Sequence, residues 1–216
     1  LKDNVARKAG TMGKEENKEM EFWTQEEFQA FLECVADKPI SYYAFEILYW
    51  TGIREGELLA LTPGDFNFEK KTLRINKSYQ RLEGKDVITD PKTPKSNRTI
   101  VMPDFLAVEM ENFISSLYGI RDDDRIFTIS KSYLHHEMDR GAKLAGVKRI
   151  RIHGLRHSHI SLLINLGFSA LAIGERVGHE AVDITYHYAH LFPTVQTDMA
   201  AQLETEREAL VNVRKE

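Results

Sequence analysis

The 216-residue chain is 42% hydrophobic, 10% aromatic and 29% charged, which suits a globular protein with a core and excludes disordered, collagen-like and coiled-coil compositions. No apolar run approaches the ~20 residues of a membrane span, and one cysteine, Cys34, allows neither an internal disulfide nor a multi-cysteine metal site, as expected in a reducing compartment. The net charge of −4 hides an uneven spread. From Lys14 to Asp37 eight acids face two bases, from Lys70 to Arg98 nine bases face three acids, and from Arg140 to Arg156 six bases stand without an acid. Local potential steers a polyanion, so the basic segments keep nucleic acid in play, although charge runs are usually solvated faces.

In chain order, residues 1–21 are polar and without helical or strand period, and read as a linker or tail. Order is expected from Phe22, because Thr24-Gln25-Glu26-Glu27 is a capping box followed by Phe28, Phe31, Leu32 and Val35 at helical spacing. Ile40, Tyr43, Ala44, Ile47 and Leu48 mark a second helix that Gly52 stops. A further helix is expected over Glu55 to Leu61, ended by Pro63-Gly64. Short β-branched runs at Thr72–Asn76, Asp86–Thr89 and Arg98–Val101 predict one antiparallel sheet of three strands. Helical period returns at Phe105–Leu117, Tyr133–Leu144, Leu155–Leu166 and Leu171–Val177, with a last helix over residues 194–212. The expected class is mainly α with a small three-stranded antiparallel sheet.

Three local patterns carry candidate chemistry. His153-Gly154-Leu155-Arg156-His157 places two histidines four apart, a metal-ligand spacing, but no carboxylate lies between them and Arg156 would repel a cation. A guanidinium suits an anion instead, since its fork matches phosphate oxygens. Arg54 follows the helix-ending Gly52 at a new helix N-terminus, an anion-favouring position, and a surface pair with Glu57 is the bland alternative. Gly178-His179 is followed nine residues on by Tyr188, within Tyr186-His187-Tyr188-Ala189-His190.

Taken in order, Gly52-x-Arg54, a hairpin Lys92, His153-x-x-Arg156-His157, Gly178-His179 and Tyr188 resemble the tyrosine site-specific recombinases, the DNA integrases of phages and conjugative transposons. The resemblance runs from Phe22 to His190 and takes in Glu57-Leu58-Leu59-Ala60-Leu61 and Asp90-Pro91-Lys92-Thr93 with Ser96 and Arg98. It implies the catalytic-domain fold of that family over residues 22–216, with residues 1–21 linking to a core-binding domain that precedes it in family members and is expected to be missing here.

The activity implied is cleavage and rejoining of DNA through a covalent 3′-phosphotyrosine, without metal, ATP or another cofactor, in integration and excision of a mobile element. Arg54 and Arg156 would clamp the phosphoryl oxygens, aided by His179, and Tyr188 would attack. His153 fits a proton acceptor or phosphate partner, and Lys92 the acid that protonates the leaving oxygen. Tyr186 competes with Tyr188, and Lys95 with Lys92; family spacing favours Tyr188 and Lys92. Arg74, Lys77, Lys95, Lys148 and Arg151 are expected to contact DNA. The implied partners are double-stranded recombination sites and further copies of the chain, four in a synapse, with the C-terminal helix exchanged between protomers. No membrane is expected, and the implied location is the bacterial cytoplasm. A type IB topoisomerase-like enzyme and a non-catalytic DNA-binding module are the alternatives.

Overall fold

The computed structural model describes residues 20–90, 96–179, 183, 184, 188, 191, 200, 203–205 and 207. Helix α1 (Gln25–Glu33) begins at the expected capping box: Thr24 N donates to Glu27 Oε2 at 2.9 Å and Glu27 N donates to Thr24 Oγ1 at 3.3 Å. Helix α2 (Pro39–Thr51) stops at Gly52, whose φ of +65° suits glycine, and where an added Cβ would lie 2.6 Å from His159. After Arg54 comes one helical turn, α3 (Glu55–Leu58), shorter than its expected extent because the chain turns at Leu59 and Ala60.

The β region differs from the sequence expectation. Strands β1 (Phe66–Asn67), β2 (Thr72–Ile75) and β5 (Arg98–Val101) form one antiparallel sheet, pairing Phe66 with Leu73 and Leu73 with Ile100. The predicted run at Asp86–Thr89 lies in β4 (Lys85–Thr89), which pairs with β3 (Ser78–Leu82) in a separate two-stranded hairpin. Glu83 and Gly84 both have positive φ, the two-residue turn whose twist matches paired strands. That turn brings 78–82 onto 85–89 locally, so the third strand of the sheet is Phe66–Asn67.

Helices α4 (Asp104–Ser116), α5 (Lys131–Ala145), α6 (Ile152–Asn165) and α7 (Ala170–Val177) follow. The main core joins Trp23, Phe28, Phe31, Phe45, Leu48 and Tyr49 with sheet and α4–α6 residues, each large side chain stabilising by about 1.5–3 kcal/mol through burial. Buried Glu46 on α2 has an Oε2 with no hydrogen-bond partner among the described residues. A second cluster gathers Ile160, Ile164, Ile173, Val177, Ile184 and Tyr188.

The segment before α1 is tied to α6. Trp23 N donates to Ser158 Oγ at 2.8 Å, its indole Nε1 donates to the Lys148 carbonyl at 2.7 Å, and the Glu21 carbonyl sits 3.0 Å from where a Cβ on Gly154 would stand. The linker reading of residues 1–19 and most of the helix expected at 194–212 lie outside the described residues; residues 200, 203–205 and 207 are helical.

Candidate active site

Strand alternation explains the first part of the site. On β5, Ile100 faces the core, so Arg98 two residues earlier faces it too and must bury a charge. Glu57 answers it: Arg98 Nη1 donates to Oε1 at 3.1 Å and Nη2 to Oε2 at 3.0 Å. The same carboxylate receives Arg54 Nη1 at 2.9 Å and the Arg54 backbone N–H at 2.8 Å. Burial alone would raise the Glu57 carboxyl, but hydrogen bonds and charge from Arg98, then from Arg54, hold it below the usual carboxylate range. Arg54 is thus both the partner of Glu57 and a groove residue.

Arg156, on α6, is 1% exposed. Its Nη1 donates to the Gly52 carbonyl at 2.6 Å and its Nη2 to the Val177 carbonyl. Nε is buried without a partner among the described residues. The family resemblance implies that this guanidinium clamps phosphoryl oxygens; here its two Nη groups join the ends of α2 and α7, and Nε is the N–H without a bond among the described residues. Burial, with the charges of Arg54 and Arg98, lowers this guanidinium to about 9, against the pull of Glu57 and Tyr188.

The ends of these helices open on a groove of about 1200 Å³. Arg54, His153 and His179 line it, with Lys77, Tyr79 and Arg81 on the hairpin side and Ser130 and Lys131 at the start of α5. Desolvation and then the Arg156 and Arg54 charges lower His153. The same causes push His179, just beyond the left-handed Gly178, down to about 4. Both imidazoles are therefore neutral at pH 7, able to donate one N–H to an anion without adding charge.

Tyr188 is helical and 3% exposed. Its hydroxyl is hydrogen-bonded to His157 Nδ1, one turn along α6 from His153. Burial pushes its phenol up and the Arg156 charge opposes that. Lys92, Lys95 and Tyr186 lie outside the described residues.

Of the other expected DNA contacts, Lys77 reaches the groove but pairs with buried Asp65 at 2.6 Å, and Arg74 lies 3.5 Å from the same residue. Lys148 stacks its ammonium over Phe22 at 5.8 Å, and exposed Arg151 is the N-cap of α6. None of these three, Arg74, Lys148 or Arg151, lines the groove.

Three participants carried no assigned role in the sequence. Glu57 was signalled by its spacing of three from Arg54 on one helical turn, and Arg98 by its place two residues from a core isoleucine. Arg176 gave no signal: its guanidinium donates to His159 Nε2 at 3.0 Å, to the Val101 carbonyl at 3.0 Å and to the Trp50 carbonyl at 3.1 Å. It fastens α7 to β5, α2 and α6.

The chain is similar to the ICEBs1 integrase of Bacillus subtilis (strain 168), 32% identical over 217 residues, covering 94% of this chain and 58% of that protein. It is 26% identical to a XerC-like tyrosine recombinase of Caldanaerobacter subterraneus over 90% of this chain and 56% of that one. It spans a little over half the length of these curated relatives. The fold matches the Tn1549 transposon integrase in complex with a circular intermediate DNA, with TM-score 0.71 at 21% identity over 95% of this chain and 70% of that one. It also matches the catalytic domain of bacteriophage HP1 integrase, with TM-score 0.60 at 20% identity over 85% of this chain and 95% of that one. The profile of the phage integrase family matches residues 21–194, and the chain belongs to that family.

Proposed function

We propose that residues 22–216 are the catalytic unit of a site-specific recombinase that cleaves and rejoins double-stranded DNA in integration and excision of a mobile element. The observation that carries this reading is the convergence of Arg54, His153 and His179 on one groove, with Arg156 fixed behind them and Tyr188 held against the same helix. A phosphodiester repels nucleophiles, and attack concentrates charge on its non-bridging oxygens. Arg54 and the Nε of Arg156, which has no partner among the described residues, answer that charge, and the neutral imidazoles of His153 and His179 supply further N–H donors.

Tyr188 attacks phosphorus, forms the 3′-phosphotyrosine and expels a 5′-hydroxyl, which Lys92 protonates. The phosphotyrosine retains the bond energy, so rejoining needs no ATP, and the guanidiniums take the place of a metal. Lys77 and Arg81, which line the groove, hold the DNA backbone, and Lys95, Arg74, Lys148 and Arg151 add further phosphate contacts. In this reading four copies assemble on two duplexes, each passing its C-terminal helix to a neighbour. A DNA substrate that traps the cleaved strand tests the enzyme reading: a covalent protein–DNA product supports it, and retardation without adduct leaves a DNA-binding module. Relaxation of supercoils without strand exchange would point to topoisomerase-like chemistry instead.

A further inference from the structure

Two histidines on α6 stand next to the groups proposed to react, and their surroundings differ. His153 lines the groove, and its ring meets that of His157 edge to face at 4.8 Å between centroids. His157 turns its Nδ1 to the Tyr188 hydroxyl, with ring centroids 5.8 Å apart. Tyr188 itself is packed into the apolar cluster of Ile160, Ile164, Ile173, Val177 and Ile184. Its phenolic oxygen therefore already has a nitrogen in hydrogen-bond contact, and that nitrogen belongs to His157.

We propose that His157 is the general base of the cleavage step, accepting the Tyr188 proton through Nδ1; the proposal rests on the reading of Tyr188 as nucleophile. For Nδ1 to accept, the imidazole is neutral with its proton on Nε2. As the Tyr188 oxygen bonds to phosphorus, its proton passes to Nδ1 and His157 becomes an imidazolium. The bond from phosphorus to the 5′-oxygen breaks, and that oxygen takes its proton from the acid on the leaving side. In rejoining, the attacking 5′-hydroxyl returns its proton to that acid, and the departing phenolate recovers its own from His157. No proton is lost over a full cycle.

The surroundings suit the transfer. Burial raises the phenol, so unaided ionisation is disfavoured and a contacting base matters more. Among the groups facing His157 are Tyr188 and the His153 ring. The guanidinium of the adjacent Arg156 donates to the Gly52 and Val177 carbonyls and keeps its positive charge. His153 has burial, then the Arg156 and Arg54 charges, disfavouring its protonation and faces the groove, so it serves the phosphate rather than the phenol.

The test compares the wild-type chain with His157→Gln and His157→Leu in single-turnover adduct formation on a strand-trapping DNA. Rates are followed from about pH 5 to pH 9, across the ordinary imidazole pKa of about 6.5. Both variants should slow adduct formation at least ~10²-fold, the usual worth of a positioned acid or base, and both should lose the acid-side fall expected of the wild type. Glutamine restoring the wild-type rate would show that contact rather than basicity matters, and would overturn the proposal. Leucine cleaving as fast as the wild type, or faster, would also overturn it.

A second measurement does not depend on these variants folding. The 15N resonance of His157 Nδ1 should shift in Tyr188→Phe, and an unchanged resonance counts against the contact. Peptide mapping of the wild-type adduct separates the two levels. An adduct on Tyr186 removes the nucleophile reading and the proposal together, whereas an adduct on Tyr188 with an unslowed leucine variant removes the proposal alone.

Discussion

Arg156 Nη1 donates to the Gly52 carbonyl at 2.6 Å, across 104 residues of sequence. The bond fixes the C-terminal end of α2, and so the approach to Arg54, from the helix that carries His153 and His157. The two arginines therefore divide their work: Arg54 lines the groove, while Arg156 joins the ends of α2 and α7 and has an Nε without a partner among the described residues.

That division sets the first expectation. Arg54→Ala and Arg156→Ala should each slow DNA cleavage at least ~10²-fold, the scale of losing one preorganised donor to developing charge. Their stabilities should part company. Arg156→Ala orphans the buried Gly52 and Val177 carbonyls, at about 1–3 kcal/mol each, and should lower the melting temperature clearly more than Arg54→Ala. Cleavage within threefold of wild type in either variant would count against the clamp.

Tyr188→Phe removes one oxygen and should abolish the covalent adduct while DNA retardation stays nearly intact. Tyr186→Phe should still form it. Denaturing gels of the trapped product read both, and reversed outcomes would move the nucleophile by two residues.

The architecture was legible in the sequence wherever local chemistry decided it. The capping box at Thr24, the stop at Gly52 and the helical periods of α4 to α7 depend on neighbours in the chain. The sheet was misread because Ser78–Leu82 lacks a β-branched pattern, and the turn at Glu83-Gly84 that recruits it leaves few marks. Within the site, motif spacing placed Arg54, His153 and His179, which do line one groove. It could not show which way Arg156 turns, because its partners are backbone carbonyls that any residue supplies. Nor could it show that the histidine meeting the Tyr188 hydroxyl is His157, since that contact depends on how the last part of the chain docks on α6.

Lys92 is assigned to the leaving group, and its chemistry can be isolated. A 5′-bridging phosphorothiolate leaves without a proton, so Lys92→Ala should be largely rescued on sulfur relative to oxygen. Equal defects on both substrates would make Lys92 an electrostatic contact, and rescue of a Lys95 variant instead would transfer the role.

Away from the site, Glu46 gives the chain a pH dependence of known sign. Burial, then the neighbouring Glu109 charge, raises its carboxyl to about 7, with the Trp50 hydrogen bond opposing. The folded state therefore holds a proton between about pH 4.5 and pH 7 that the unfolded chain has released, and stability falls as pH rises through that window. Glu46→Gln mimics the protonated form. It should stabilise the chain at about pH 8 and lose that advantage towards about pH 4.5, at most ~1.4 kcal/mol per pH unit between. Urea unfolding at the two ends measures it, and equal effects at both would refute the assignment.

The proposed exchange of the C-terminal segment between copies can be tested directly. Val195, Met199, Leu203 and Leu210 make an apolar stripe in the sequence, and Leu203 is 71% exposed. Deleting Val195 to Glu216 should impair synapsis of two duplexes more than DNA binding by separate copies. Crosslinks placing Met199 and Leu203 against their own domain in the DNA-bound assembly would exclude exchange between protomers.

The bonds from Trp23 to Ser158 and Lys148, and the press of Glu21 on Gly154, make α6 the anchorage of the chain that enters it. A pull along residues 20–23 is delivered, through buried Trp23, within one turn of His153, Arg156 and His157. Tension on the entering chain thus has a short mechanical route to the helix that carries His153 and Arg156 and meets the Tyr188 hydroxyl.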